Sequence, residues 1–466
     1  MKVLLINPSI TQKEVYAKYS AGAPSLPPLG LCYIAAVLLA RGHPVKILDC
    51  AAENISLSQL QKEVQEFKPG LVGVTSTTVS YEAARKAVHA VKEVDHGIKT
   101  VLGGAHLSAL PQATMAEDEN IDIGIFGEGE YSLLEVVDRL ERRESLVYVE
   151  GTIVRQDGCL KMNKARDPVK NLDEIPFPAR HLLKDLRLYS HTPFRGAKFM
   201  TTMITSRGCP FQCGFCDQSV FGRVWRYHSP EYVVDEISYL KETYGIDFVS
   251  FEDDNFMLSK KRTIEICQRM IKKKINIQWS CLGHANEVDD ETLSWMKKAG
   301  CRTIYLGIES GSPRILELIN KKANLEEIRK GVERIKKHNI STTGSFILGL
   351  PTETKQEMES TIDFALNLPL DGITFFIFTP YPNTPLRELA LKHGNVSREW
   401  KSYSGHPGSL PFIPEGMSEE FLLNIQKEAY RRFLLRPSYL IRHWGTFANR
   451  KAVQKGVRFL RALISP

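Results

Sequence analysis

The sequence predicts an α/β protein: two consecutive stretches of alternating strands and helices, followed by a helical C-terminal region. Three observations carry that prediction. Residues 1–143 alternate short β runs with helical patterns five times, residues 196–390 do so six times, and after residue 391 helical patterns dominate. The chain has 466 residues, 43% of them apolar and 25% charged, a normal balance for a soluble globular protein of about three domains.

In the first stretch the predicted strands are Val3–Ile6, Val45–Leu48, Leu71–Thr75, Thr100–Leu102 and Ile121–Phe126. Helical patterns lie between them at Gly30–Ala40, Ser56–Phe67, Tyr81–Glu93 and Glu130–Arg142. Units of this length predict a doubly wound, flavodoxin-like parallel sheet whose ligand sits beyond the carboxyl ends of the strands. Those ends carry hydroxyls and glycines: Thr75-Ser76-Thr77-Thr78, Gly103-Gly104-Ala105-His106 and Gly127-Glu128-Gly129-Glu130. Such turns let the polar edge of a large ligand approach the backbone. Residues 144–195 predict a linker. Its hairpin pairs Val147–Val154 with Cys159–Met162 around Gln156-Asp157-Gly158, and a proline-stiffened connector runs from Leu172 to Arg180.

In the second stretch, residues 196–390, the predicted strands are Met203–Ser206, Phe248–Phe251, Ile277–Cys281, Thr303–Gly307, Thr343–Leu348 and Gly372–Phe378. Helices such as Glu231–Tyr244 and Leu325–His338 fill the gaps. After the first strand comes Arg207-Gly208-Cys209-Pro210-Phe211-Gln212-Cys213-Gly214-Phe215-Cys216-Asp217. Thiolates this close converge on one soft metal centre, and cysteine is the usual anchor of iron–sulfur clusters. Three ligands leave one iron of a four-iron cube open. The competing reading is zinc, with a fourth ligand such as His228, but structural zinc sites usually bring paired CxxC elements and no second pair exists. The six other cysteines are scattered without a disulfide pattern, which predicts a reducing cytoplasm, and none follows Cys301, so one cluster is expected. Carboxylates stand at three strand tips, in Glu252-Asp253-Asp254, Gly307-Ile308-Glu309 and Gly349-Leu350-Pro351-Thr352-Glu353.

The cysteine motif, with Arg207-Gly208 before it and Phe215 completing the form CxxxCx(aromatic)C, resembles the radical S-adenosylmethionine (radical SAM) superfamily. The first third of the chain, with Pro27-Pro28-Leu29-Gly30 opening its first helix, resembles the cobalamin-binding domain that precedes many radical SAM cores. The resemblance implies an open, partial (β/α)6 TIM barrel with its active site at the carboxyl strand ends. It implies a [4Fe-4S] cluster on Cys209, Cys213 and Cys216 as the catalytic centre, with S-adenosylmethionine at the open iron. Phe215, Asp253, Asp254, Glu309 and Arg226 are then the expected contacts around cluster and cosubstrate, since a carboxylate accepts from an ammonium and from paired hydroxyls. Cobalamin is expected on Thr75, Ser76, Thr77, Gly103, Gly104, Glu128 and Gly129. Domains that ligate cobalt carry DxHxxG after the first strand; here the place reads Asn7-Pro8-Ser9-Ile10-Thr11-Gln12, so no protein histidine ligand is expected. His43 and His106 are expected to be structural or solvent-facing.

The implied reaction is methyl transfer to an unactivated carbon or a phosphorus centre, driven by a 5′-deoxyadenosyl radical. A reductant such as flavodoxin or ferredoxin supplies the electron. The alternative is oxidative ring formation, as in the anaerobic magnesium-protoporphyrin ester cyclase. A tRNA methylthiotransferase would need further N-terminal cysteines.

The formal charge of +7 is uneven. Residues 431–466 hold nine Lys/Arg and no Asp or Glu, which leaves −2 for the rest. Nucleic-acid binding is therefore not expected. The basic tail, predicted to continue as a helix over Arg450–Leu463, suits an anionic or lipid-like substrate or peripheral membrane contact; equally, it suits a cover for the open barrel. The longest apolar run, Leu29–Ala40, is too short to cross a bilayer.

Overall fold

The computed structural model describes residues 1–9, 26–189, 197–404, 410–437 and 439. Its first sheet contains β1 (Val3–Asn7), β2 (Val45–Asp49), β3 (Leu71–Thr75), β4 (Lys99–Gly103), β5 (Ile123–Ile125), β6 (Thr152–Gln156) and β7 (Cys159–Met162), in the order β2-β1-β3-β4-β5-β6-β7. The first five strands pair in parallel, so the chain reverses its winding between β1 and β3, where a doubly wound sheet binds its ligand. Val3, Leu4, Leu5 and Ile6 are all buried, as a strand covered by helices on both faces requires. The hairpin predicted as part of a linker instead extends this sheet: β6 lies antiparallel on β5. Its turn residues Asp157 and Gly158 both adopt positive φ.

The helix Leu29–Ala40 is apolar around its whole circumference, and eight of its twelve residues are buried. The second domain covers the face that the first sheet does not. Tyr33 donates to the Ile204 carbonyl at 3.2 Å, and Ala179, Leu183 and Tyr189 of the linker join the same core. The connector is pinned by Arg180, which is 1% exposed. Its guanidinium meets Glu236 of the helix Pro230–Tyr244 at 2.7 Å and the Thr202 carbonyl at 2.9 Å.

The second sheet is six-stranded, parallel and open. Its strands are β8 (Met200–Met203), β11 (Phe248–Phe251), β12 (Gln278–Gly283), β13 (Cys301–Glu309), β14 (Ser341–Leu348) and β15 (Gly372–Ile377), ordered β15-β14-β13-β12-β11-β8. The first strand lies three residues earlier than predicted. Ser206–Arg207 (β9) leaves the sheet direction to pair antiparallel with Arg226–Tyr227 (β10), which brackets the cysteine loop as a closed excursion.

In the C-terminal region, Gly394–Val396 (β16) pairs antiparallel with Phe412–Pro414 (β17), a short ribbon where helical patterns were expected to dominate. The helix Glu419–Leu434 packs along β15, where Gln426 donates to the Phe375 carbonyl at 2.7 Å. Arg431 pairs with Glu428, Arg432 with Glu359 and Asp363, and Arg436 donates to the carbonyls of Leu366, Leu368 and Leu370. The predicted helix Arg450–Leu463 lies outside the described residues. No helix among the described residues is long and apolar enough to cross a membrane.

Removing one partner of a fully buried ion pair strands the other charge in the core. Arg180→Met should therefore destabilise the protein by about 3–5 kcal/mol, read from the denaturant midpoint, and the added change Glu236→Leu should recover most of the loss.

Candidate active site

The cysteine loop is shaped by bonds from distant parts of the chain. Gln218 donates its side-chain amide to the carbonyls of Cys209 and Phe211, at 2.9 and 3.0 Å. The Gly214 N–H donates to the Ile319 carbonyl at 2.8 Å, the Leu386 N–H donates to the Gly214 carbonyl at 2.9 Å, and Asn320 donates to the Gln212 carbonyl at 2.9 Å. Gly208 has φ +80°, and a Cβ there would lie 2.5 Å from the Val224 carbonyl oxygen, so the residue before the first cysteine has to be glycine.

The three cysteines open on a cavity of about 530 Å³ at the carboxyl ends of the second sheet, together with Phe215, Asp254 and Glu309. Burial pushes the Cys216 thiol up to about 12, reinforced by Asp254 and the two other cysteines; Cys209 and Cys213 move the same way, for the same first cause. Metal binding at such a site must release protons. Three thiols facing one cavity are a donor set that suits a cluster in which each thiolate takes its own iron. Among the described residues, His43, Asp138 and Glu141 form the one trio of metal-type ligand atoms lying within 4.8 Å of one another, and none of them lines this cavity. His228 is not available as a fourth ligand: it is 1% exposed, stacked on Tyr232 at 3.9 Å and paired with Asp173.

The strand-tip carboxylates have different fates. Glu309 ends β13 with φ +70° and faces the cavity, where Lys321 pairs with it at 3.2 Å. Gly307 makes room for that carboxylate, since a Cβ there would lie 2.3 Å from Glu309 Oε1. Asp254 also faces the cavity. Asp253 does not: it is 1% exposed and accepts from the Thr205 N–H, the Thr205 hydroxyl and the Ser206 hydroxyl, each at 2.6 Å. Its expected role at the cosubstrate is corrected to that of a brace for the approach to the cysteine loop.

Glu353 is likewise turned inward. Its Oε2 accepts from the Gly349 and Leu350 N–H groups at 2.7 and 3.0 Å, while Oε1 is buried without a hydrogen-bond partner.

Two cavity residues carried no local sequence signal. Lys321 follows a helix by three residues, and His284 follows β12; both reach the cavity only because neighbouring strands bring them there. His284 stacks on Phe211 at 4.7 Å. Burial, with Lys321 nearby, lowers its imidazole to about 4.

At the carboxyl ends of the first sheet a second cavity, of about 140 Å³, is lined by Thr75, Gly103, Gly104, Glu128 and Gly129, with Tyr33 and Arg207. Gly104 has φ +98°, and a Cβ there would meet the Ser76 backbone oxygen at 2.4 Å, so the close approach of these two strand-end turns requires glycine. Ser76 and Thr77 do not line it. The Ser76 hydroxyl donates to the Gly103 carbonyl beneath, and exposed Thr77 gives its N–H to Ser80 Oγ. Arg226 lines neither cavity; it pairs with Glu128 at 2.5 Å and donates to the Val169 and Phe221 carbonyls. The site thus corrects its expected cofactor contact to an interdomain one. Arg207 makes the companion pair with Glu130 at 2.6 Å. The glycine-rich strand ends and the one guanidinium that lines this cavity, Arg207, suit the polar edge of a ligand rich in oxygen acceptors, as cobalamin is. His43 bonds Asp138 and the chain's amino terminus, and His106 stacks on Tyr81 at 4.2 Å; both are buried and structural, and neither lines the two cavities.

Burial pushes the Glu353 carboxyl up to about 8, against its two backbone donors. The folded state therefore holds a proton that the unfolded state releases above about pH 4.5. Stability from this group is full below that pH and is lost as pH rises toward 8. The denaturation midpoint should fall across pH 5–8, by up to about 1.4 kcal/mol per pH unit from this group, and Glu353→Gln should flatten the slope.

Residues 203–365 match the family model of the radical SAM superfamily, and residues 22–137 match the B12 binding domain. An uncharacterized methyltransferase of Pyrococcus horikoshii is 37% identical over 95% of this chain and 94% of its own. The anaerobic magnesium-protoporphyrin IX monomethyl ester cyclase of Rubrivivax gelatinosus is 29% identical over 94% of this chain and 78% of its own. Cytidylyl-2-hydroxyethylphosphonate methyltransferase of Streptomyces wedmorensis is 30% identical over 86% of this chain and 84% of its own. The fold is that of the radical S-adenosylmethionine methyltransferase TsrM from Kitasatospora setae, with TM-score 0.69 at 18% identity over 90% of this chain and 79% of that one. It is also that of the cobalamin-dependent radical enzyme OxsB, with TM-score 0.71 at 16% identity over 99% of this chain and 70% of that one. The chain belongs to the radical SAM superfamily, among the enzymes whose radical SAM core follows a B12-binding domain and whose members include methyltransferases.

Proposed function

We propose that this enzyme methylates an unactivated carbon, or a phosphorus centre, of a small molecule with an apolar body, using a [4Fe-4S] cluster, S-adenosylmethionine and cobalamin. One observation carries the reading: Val220 and Phe221 face both the cysteine cavity and the glycine-lined cavity of the first domain. Groups held in the two chambers would share a single boundary, as methyl transfer between them requires. Relatives that bear methyltransferase names over most of their length support it.

When bound, the cluster and cosubstrate supply a carbon radical, and cobalamin supplies the methyl group. The chain supplies grip, orientation and exclusion of water. Cys209, Cys213 and Cys216 hold the cluster, and Phe215 packs beside it. Asp254 suits the cosubstrate's ammonium and Glu309 its paired hydroxyls, each as a charge-assisted acceptor. Lys321 donates to Glu309 Oε1 at 3.2 Å and so holds that carboxylate in place. Ile347, Phe376 and Phe378 give the substrate side an apolar wall, and Phe376, 54% exposed, stands ready for contact. Thr75, Gly103, Gly104, Glu128 and Gly129 form the cobalamin side. A cytoplasmic setting with a flavodoxin- or ferredoxin-type reductant completes the reading.

Oxidative ring formation is the second reading, favoured by the likeness to the cyclase across 94% of this chain. Product mass separates them, because methylation adds a carbon and cyclisation does not.

Anaerobic reconstitution with iron, sulfide and hydroxocobalamin tests the site. Wild type should hold ~4 iron per chain and cleave S-adenosylmethionine under reductant, whereas Cys213→Ala should lose both. Full iron content and deoxyadenosine formation in that variant would overturn the assignment. Glu309→Gln should weaken S-adenosylhomocysteine binding at least about tenfold by calorimetry while keeping the iron.

A further inference from the structure

Arg207 belongs by sequence to the cysteine motif, two residues before the first cluster thiol, yet its side chain lies in the other chamber. It lines the glycine-walled cavity of the first domain and is 2% exposed. Its guanidinium lies over two rings, with its centre 5.3 Å from the Tyr33 centroid and 5.2 Å from that of Phe221. One terminal nitrogen, Nη2, is committed to Glu130 at 2.6 Å. The other, Nη1, is buried and ion-paired with Glu128 Oε2 at 3.5 Å, but makes no hydrogen bond. Glu128 is already engaged by Arg226 and by the Val169 N–H. A buried guanidinium N–H without a hydrogen bond is costly, and the two rings packed against this guanidinium restrict its turning toward another acceptor.

The geometry points to Arg207 as a corrinoid-binding residue, whose Nη1 donates to an amide carbonyl at the edge of the corrin ring. The inference rests on the reading that this chain holds cobalamin, and extends it: the ring is gripped from both domains, and the loop that carries the cluster cysteines supplies one of the grips. Docking of the radical SAM core on the first domain is then part of corrinoid affinity. The corrinoid also offers phosphate oxygens in its nucleotide tail, which use the same acceptor chemistry. The test therefore uses two probes, hydroxocobalamin and dicyanocobinamide, which keeps the ring amides and lacks the tail.

Dissociation constants are measured by visible absorption on full-length, cluster-loaded protein kept anaerobic. Arg207→Met should weaken both probes at least about tenfold, with iron content retained. Arg207→Lys keeps a charge for Glu130 but not the fixed second donor, so it should restore the melting midpoint while restoring little of the affinity. Glu130→Gln should lower the melting midpoint and cost less affinity than Arg207→Met. Arg207→Met binding both probes within about twofold of wild type would overturn the inference. So would a loss confined to hydroxocobalamin, which would place the donor on the tail, or a loss of affinity that simply follows the melting midpoint through all three variants. Wild type that binds neither probe would overturn the proposed function and this inference with it; wild type that binds both, beside an unaffected Arg207→Met, overturns this inference alone.

Discussion

Four buried side chains set the register of the two domains. Glu128 and Glu130 come from the turn after β5, and Arg207 and Arg226 bracket the cysteine loop. Burying four charges costs desolvation that their attraction roughly repays, so the knot adds little net stability. Its effect is on position. Neither loop can slide without leaving a charge unpaired in the core, so the cysteines and the glycine-rich strand ends keep one relative geometry. Tyr33 and Phe221 pack against the Arg207 guanidinium, which is 2% exposed. Phe221 is also the wall between the two cavities, so the placement of that wall depends on the same charges.

What the sequence revealed was what is local. Three thiols within eight residues, a glycine before them and an aromatic between them can be read without any fold. Period-2 and period-3.6 patterns located most strands and helices to within a few residues. The first strand of the second sheet was misplaced because Met200 to Ser206 is a continuous run of apolar and hydroxyl side chains with no internal boundary. Only the antiparallel pairing of Ser206–Arg207 with a partner twenty residues away ends it. The hairpin was legible as a hairpin, but its membership of the first sheet was not, since nothing local records which edge a strand joins.

The acidic strand tips show the same limit at single-residue scale. Asp253 and Asp254 lie in the turn after β11, where no strand alternation tells from sequence which of them faces inward. Three hydroxyl and amide donors decided it for Asp253. Lys321 and His284 were invisible for the converse reason: each belongs to a different strand-to-helix connection, and only the order of the sheet brings them beside the cysteines. The basic C-terminal region changes meaning too. Arg431, Arg432 and Arg436 serve neighbouring carboxylates and a carbonyl-rich turn, which makes part of that charge an internal fastening.

The bonds that shape the cysteine loop also fix a time order for assembly. Gly214 is clasped by Ile319 on one side and Leu386 on the other, more than a hundred residues downstream. On the ribosome the three thiols emerge long before either clasp exists, so the nascent segment passes through a period of reactive sulfur without its final shape. Iron delivered early would meet a floppy peptide able to accept the wrong metal; a well-formed receptacle appears only once nearly the whole second sheet has left the tunnel. The loop's final shape is therefore available only late in synthesis, once Leu386 has emerged.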